Sequence, residues 1–245
     1  MKKVIYLIFF YSSFFISQVK VNIKFIDSKN DLVKGKFLEI KIINNSDSDY
    51  ILPIDTTDFS TFYFSEKCID FSDFENYKNL TFKADLKNVN NNVSEMSIPH
   101  YKLTGQIDNK SKSFTNEMSR RDSLIKLENK RIILWKKQNK IQQPDIWIAK
   151  NKYLISSLVF VKSKQEVKFY KYFNPKKFNL NSISGDYDYF NLIKNNIYEF
   201  SLKYCVDYIV YEYLTTQQKA KIKNYKLFTG SLESNKIELK QIELY

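Results

Sequence analysis

Few side chains in this chain of 245 residues could form a catalytic or metal site. His100 is the one histidine, and it lies in the segment IPHYK without a G-x-S-x-G nucleophile motif beside it. A Ser-His-Asp or Cys-His site would have to use it, and one histidine with two distant cysteines cannot form an ordinary zinc cage. We therefore expect no catalytic residue, no metal and no cofactor, and we interpret His100 as a turn or edge residue.

The glycines and acidic residues add no recognisable cofactor motif. The four glycines lie too far apart for a phosphate-binding loop. The spacing of Asp47, Asp49, Asp55 and Asp58 does not match an EF-hand calcium loop, and Asp186 and Asp188 are expected in a turn after Gly185. A carboxylate-dependent glycan hydrolase stays open as an alternative, because the distance between two carboxylates cannot be read from a sequence.

Cys68 and Cys205 are the two cysteines, and both lie among apolar or aromatic residues. Two interpretations are open: a disulfide, if the protein is exported, or two buried free thiols.

The first 17 residues have the form of an export signal. Lys2 and Lys3 precede an apolar run at residues 4–16, and Ser17 supplies a small residue before a cut ahead of Gln18. The run is shorter than the roughly 18–20 apolar residues that a membrane-spanning helix needs. We expect a cleaved signal and a periplasmic or secreted protein; an uncleaved N-terminal anchor is the alternative.

The net charge of +12 comes almost entirely from lysine, since only Arg120, Arg121 and Arg131 are arginines among 39 basic residues. Arginine is the residue that binds phosphates and base edges in a bidentate manner. Together with export, its scarcity argues against a nucleic-acid partner, and a lysine-rich composition is typical of A+T-rich codon usage.

Alternating apolar residues predict a mainly β framework. Residues 19–25, 38–43 and 50–54 are expected to be strands, followed by 60–64, 80–86, 147–161, 165–173, 187–193, 197–213 and 236–244. We expect the N-terminal strands to pair with strands after Pro144, including the closing strand. Thr215 and Gln218 form a predicted capping box that opens a short connecting helix through about Asn224.

Residues 119–142 carry the strongest helical pattern, with Ser119 and Asp122 as a predicted capping box and Pro144 as the stop. We expect a helical insertion at about 115–143 in a single domain that spans residues 18–245. The helix either covers the sheet or presents a basic face to a polyanion or membrane surface. Arg120, Arg121, Lys130 and Lys137 would make that contact.

The segments at 154–174 and 195–244 resemble exported immunoglobulin-like (Ig-like) β-sandwich proteins of Bacteroidetes. The features that match are the strand pattern, a Phe-x-Gly turn at Phe228–Gly230 and the closing motif SN-x-I-x-L at residues 234–239. This resemblance implies an Ig-like antiparallel sandwich and no particular activity. We expect a non-enzymatic module that binds an envelope protein or glycan; the sequence gives no oligomeric state.

Overall fold

The computed structural model describes residues 18–26, 36–61, 68, 71, 80–100, 112–178, 186–193 and 196–240. The strands, in chain order, are β1 (Val19–Ile26), β2 (Lys36–Asn44), β3 (Tyr50–Pro53), β4 (Asp55–Thr61), β5 (Thr81–Asn88), β6 (Val93–Ser94), β7 (Ser97–His100), β8 (Leu158–Val161), β9 (Glu166–Phe173), β10 (Tyr187–Phe190), β11 (Ile197–Val206), β12 (Lys226–Leu227), β13 (Gly230–Glu233) and β14 (Ile237–Lys240). The helices are α1 (Lys112–Asn139), α2 (Asp145–Ser156), α3 (Thr216–Lys221) and a 3-10 helix, Tyr208–Tyr213. The fold is mainly β with several antiparallel sheets, as predicted.

The two long N-terminal strands form an antiparallel sheet with a strand from beyond Pro144, in the order β1-β2-β9. Along β1, side chains alternate between buried and exposed from Val19 to Lys24, which confirms the period-two pattern of the sequence. Ile42 pairs with Val21 on one side and Val167 on the other, so apolar residues share one face. The predicted long-range pairing of the N-terminal stretch is therefore confirmed for β9.

The second sheet has six strands, in the order β13-β11-β5-β4, with β14 also pairing with β11 and β6 with β5. The closing strand β14 thus pairs with β11 and not with the N-terminal strands, so that part of the prediction is wrong. A pair of hydrogen bonds just before β14 joins the two sheets instead. The Asn235 side chain accepts from the Ile23 amide at 2.7 Å and donates to the Ile23 carbonyl at 3.0 Å.

The inner faces of these two sheets pack on each other through aromatic side chains, as in a β-sandwich. The Phe200 ring of β11 lies 4.5 Å from the Phe173 ring and 5.9 Å from the Phe25 ring, centroid to centroid. The Phe82 ring of β5 stacks on Phe169 of β9 at 6.3 Å. Such pairs add about 0.5–1.5 kcal/mol each beyond the area they bury. Aromatic side chains thus form a large part of the core between the two sheets.

Two smaller sheets complete the framework. In the order β12-β3-β8, β3 pairs antiparallel with β8 and parallel with β12. The buried Tyr204 hydroxyl of β11 donates to the Pro53 carbonyl, which attaches this sheet to the six-stranded one. The second small sheet pairs β7 with β10 and contains Asp188 as a buried strand residue. The turn predicted at Asp188 is wrong, because its backbone pairs with Phe178 on the opposite side from β7.

The inserted helix is longer at its N-terminus than predicted. α1 begins at Lys112, so Ser119 lies inside the helix, where its carbonyl accepts from the Ser123 hydroxyl at 2.8 Å. The prediction of a capping box at Ser119 and Asp122 is therefore wrong. No glycine or proline interrupts residues 112–118, and Glu117 pairs with arginines one turn ahead, so the helix continues. It ends at Asn139, before Pro144, as expected.

A second helix replaces most of the strand expected at residues 147–161. α2 starts directly after Pro144, and Ile148, Asn151 and Leu154 recur every three residues on its buried face. A short apolar run fits a helix or a buried strand equally well by periodicity, and here the proline at the helix start decides in favour of the helix. Only Leu158–Val161, strand β8, remains of the prediction.

The strand expected at residues 197–213 ends at Val206 and is followed by the 3-10 helix. The adjacent residues Val210 and Tyr211 are both buried, which a strand with one buried face would not allow. The Thr215 capping box is confirmed: Thr215 Oγ1 accepts from the Gln218 amide at 3.2 Å, and Gln218 Oε1 accepts from the Thr215 amide at 2.8 Å. α3 ends at Lys221, three residues earlier than predicted.

Among the described residues, no helix is long and apolar enough to cross a membrane. In the same part of the chain, no three His, Cys, Asp or Glu side chains cluster closely enough to hold a metal ion.

Candidate functional site

An open groove of about 560 Å³ lies where the start of β1, the start of β3 and the β12 edge meet the 3-10 helix. The residues that line it are Gln18, Val19, Tyr50, Tyr208, Lys226, Leu227, Phe228 and Thr229. Four elements, β1, β3, the 3-10 helix and β12, contribute to it from distant parts of the sequence, so it exists only in the folded chain. Its size is in the range of small-molecule sites, and it combines aromatic walls with a few polar groups.

Three aromatic side chains form the apolar surface of the groove. The Tyr50 ring meets the Phe228 ring edge to face at 6.4 Å. Tyr208 is 58% exposed, and its ring lies 6.0 Å from that of the buried Tyr211 behind it. A tyrosine exposed to this extent, and supported by a second ring, presents a flat surface on which a ligand can stack.

The floor of the groove is held by buried hydrogen bonds. The Tyr211 hydroxyl donates to the Phe228 carbonyl at 2.8 Å and lies 3.3 Å from the Ile51 carbonyl. Burial raises the pKa of the Tyr211 hydroxyl, so it stays a neutral donor. The Phe228 amide in turn donates to the Ile51 carbonyl at 2.9 Å. These bonds fix the backbone that carries the Phe228 ring.

Gly230 allows the backbone to turn from the groove into β13. Its φ is +112°, a conformation that side chains with a Cβ rarely adopt, and no atom lies within 4 Å of where a Cβ would be. Backbone conformation, and not lack of space, therefore requires glycine here. The predicted Phe-x-Gly turn is thus the segment that follows Phe228 and turns into β13.

The polar groups of the groove can donate and accept hydrogen bonds. The Tyr50 hydroxyl donates to Gln18 Oε1, and Lys226 and Thr229 are exposed at the rim. Among the described residues of the lining, none is a carboxylate, a histidine or a cysteine. A glycosidase needs two carboxylates, one on each side of the bond to be cleaved. The described lining therefore offers a ligand stacking and hydrogen-bonding groups.

The four predicted polyanion contacts do not share one face of α1. At about 100° per residue, Lys130 and Lys137 lie on the same side of the helix and Arg121 on the opposite side of Lys130. Arg120 Nη2 lies 2.6 Å and Arg121 Nε 3.6 Å from the same Glu117 oxygen. The bond to Glu117 raises the pKa of Arg120. Both arginines are thus engaged within the helix, whereas Lys130 and Lys137 are exposed.

The other sequence-selected residues lie apart from the groove. A disulfide joins Cys68 and Cys205, with Cα atoms 4.6 Å apart, and the Ser231 hydroxyl lies 3.1 Å from the Cys205 sulfur. His100 lies in β7, and its ring centroid is 4.6 Å from that of Tyr187, its partner in β10. It is the last residue of β7, which is an edge strand of a two-stranded sheet among the described residues, so the edge interpretation is confirmed and the turn interpretation is wrong.

The sequence did not single out the groove residues as functional. The chain contains 18 tyrosines and 20 phenylalanines, and nothing in their spacing separates Tyr50, Tyr208 and Phe228 from aromatic residues of the core. Exposure in the folded structure singles out Tyr208, whereas Tyr50 is half-buried and Phe228 belongs to the buried core. Tyr208 begins a 3-10 helix that the sequence pattern had assigned to a strand.

Comparison with protein-family models, with curated proteins and with solved structures finds no match to this chain. Its function must therefore be inferred from its own geometry.

Proposed function

We propose that this chain is an exported, non-enzymatic β-sandwich module of the Ig-like type that binds a glycan of the cell envelope in the groove between β3, β12 and the 3-10 helix. The observation that carries the proposal is the described lining of the groove, in which Tyr50, Tyr208 and Phe228 stand beside amide, hydroxyl and ammonium groups. Sugar rings have flat faces of C–H groups and a rim of hydroxyls, which suits aromatic walls with polar neighbours.

The export signal of residues 1–17 supports the envelope location, and so does the Cys68–Cys205 disulfide, because disulfides persist in oxidising compartments. The signal also relates directly to the groove. A cut ahead of Gln18 would leave Gln18, a lining residue, at the start of the mature chain.

A glycan is favoured over an envelope protein because the groove is small and its apolar surface is aromatic. Specific protein–protein interfaces bury about 800 Å² on each partner, far more than this lining offers. The residue types also fit: Gln18 and Thr229 can each donate and accept, as sugar hydroxyls do.

The test is a binding screen of the full chain against envelope polysaccharides and their oligosaccharides, followed by calorimetry with the best ligand. Tyr208→Ala is expected to weaken binding about tenfold, because it removes the exposed stacking surface. Tyr170→Ala is the matched control, since Tyr170 is a tyrosine of nearly equal exposure, 57%, on the outer face of β9, away from the groove. Because Tyr170 bonds to Glu39, the thermal transition of this variant is measured to show that it is folded.

Two outcomes would contradict the glycan proposal. The first is equal weakening of binding by the two substitutions. The second is that no glycan binds and a purified envelope protein binds through Tyr208. Release of reducing sugar from the bound ligand would contradict the non-enzymatic part and favour the hydrolase alternative.

A further inference from the structure

The helix α1 lies at the outside of the molecule. It has 28 residues, which is about 42 Å of helix, and it packs against α2. Trp135 Nε1 donates to Asn151 Oδ1 at 2.9 Å, and Lys152 Nζ lies 2.9 Å from a Glu128 oxygen. Between Thr115 and Asn139, no side chain of α1 is fully buried. The helix therefore presents a long surface that faces away from the sheets.

A row of lysines runs along that outward side. Lys126, Lys130 and Lys137 fall within about 40° of one another around the helix axis, and Trp135, which contacts α2, lies about 180° from Lys126. All three lysines are exposed, and none is in an ion pair within the described part of the chain. Asp122 is the one acidic residue on this side, so the face is net positive.

Large exposed apolar side chains lie among and beside the lysines, together with polar residues such as Ser119 and Ser123. Ile133 lies within the row and is 59% exposed. Leu127 and Leu134 lie on one flank of the row, about 80–100° from Lys126, and Met118 and Ile125 lie at a similar angle on the other flank. Each of these four side chains is also exposed. Lysine chains can extend their charged ends past such residues to reach a charged layer above them.

We propose that this lysine face, defined as Lys126, Lys130, Lys137, Ile133, Leu127 and Leu134, binds the surface of an anionic lipid bilayer. The apolar side chains enter the headgroup region, and the ammonium groups contact the anionic headgroups, as in helices that lie in the plane of the interface. A membrane fits better than a polysaccharide, because a polysaccharide offers the exposed leucines and isoleucine no apolar layer. A second copy of the chain fits poorly, since it would bring two lysine rows together.

The experiment uses the full chain with vesicles of phosphatidylcholine alone, or of equal parts phosphatidylcholine and phosphatidylglycerol, in a sedimentation assay. Binding is expected to the anionic vesicles and to weaken steeply between about 0.05 M and 0.5 M salt. The triple variant Lys126→Glu, Lys130→Glu, Lys137→Glu is expected to lose binding by a factor on the order of 100.

The matched control is Lys219→Glu, Lys221→Glu, Lys223→Glu, which changes the net charge by the same amount on exposed lysines of α3 and the turn after it. It is expected to retain most of the binding. Both triple variants keep the apolar run of residues 4–16, so that run cannot cause a difference in vesicle binding between the two variants. Circular dichroism and the thermal transition check that each variant is folded.

A second variant, Ile133→Ser with Leu134→Ser, separates a lipid surface from other anionic partners. It is expected to lose binding to anionic vesicles at unchanged charge. Equal losses in the two lysine triples would overturn the proposal, because binding would then follow net charge alone. It would also be overturned if the serine variant bound vesicles as well as the parent did, or if a soluble acidic protein or sulfated polysaccharide bound through the same lysines more tightly than vesicles.

Discussion

Asn151 and Gln218 exchange two amide hydrogen bonds, although 67 residues separate them in the chain. Asn151 Nδ2 donates to Gln218 Oε1 at 2.7 Å, and Gln218 Nε2 donates to Asn151 Oδ1 at 3.2 Å. Gln218 Oε1 also accepts from the Thr215 amide, so one side chain both caps α3 and binds α2. The reciprocal pair therefore joins α2 to α3.

The pair belongs to a larger polar network near the C-terminal end of α1. Asn151 is completely buried, donates to the Tyr213 carbonyl at 2.6 Å and accepts from the Trp135 indole at 2.9 Å. Next to it, the buried Lys150 ammonium donates to the Phe71 carbonyl at 2.6 Å and lies 5.0 Å from the centre of the Tyr213 ring. Polar groups at this depth are tolerated because they are paired, and removing one partner leaves the other unsatisfied.

Gln218→Ala is therefore expected to lower the free energy of unfolding by about 2–3 kcal/mol. About 1 kcal/mol of this comes from the lost cap and the rest from the Asn151 amide left without its partner. Urea denaturation followed by circular dichroism measures the change. Gln217→Ala is the matched control: Gln217 is the exposed neighbour in the same helix, and its loss should change the stability by less than about 0.5 kcal/mol. Equal effects of the two substitutions would contradict the role assigned to the pair.

The network also marks the limit of what the sequence could predict. The capping box at Thr215 is local, with donor and acceptor three residues apart, and it was confirmed. The strands β1, β2 and β9 were found because alternation is a local pattern as well. The contact between Asn151 and Gln218 depends on α2 being a helix, and the run from Trp147 onwards was assigned to a strand. The exposure of Tyr208 depends on tertiary packing in the same way.

Reduction of the Cys68–Cys205 disulfide is expected to destabilise the fold. The bond closes a loop of 137 residues and ties a segment ahead of β5 to the central strand β11. The chain-entropy relation gives about 4–5 kcal/mol for a loop of this size. Urea denaturation of the parent protein with and without reductant should show this loss of unfolding free energy. The Cys68→Ala, Cys205→Ala variant should show no effect of reductant. Alkylation of both cysteines in unreduced, denatured protein would show that the bond is not formed.

Glu39 is a buried carboxylate in the middle of the sheet formed by β1, β2 and β9. Burial alone would raise the pKa of its carboxyl, but hydrogen bonds from Lys24 and Tyr170 and the charges of Lys24 and Lys41 outweigh it and hold the pKa below its ordinary value. The Lys24 ammonium lies 3.3 Å from a Glu39 oxygen, and that of Lys41 lies 3.8 Å from it. The folded state thus favours the ionised form.

A group with a lowered pKa in the folded state stabilises the fold at pH values above its unfolded pKa, and this contribution is lost as the pH falls through the folded pKa. Glu39→Gln resembles the protonated form, so it should destabilise the protein near pH 7 and less so in acid. Urea denaturation from about pH 6 down to pH 3 spans the ordinary glutamate pKa. The stability of the parent should fall more steeply than that of the variant over this range. The control is the exposed Glu212, where Glu212→Gln should keep the slope of the parent. Parallel slopes for the parent and Glu39→Gln would show that Lys24 and Tyr170 do not hold the carboxylate in its ionised form.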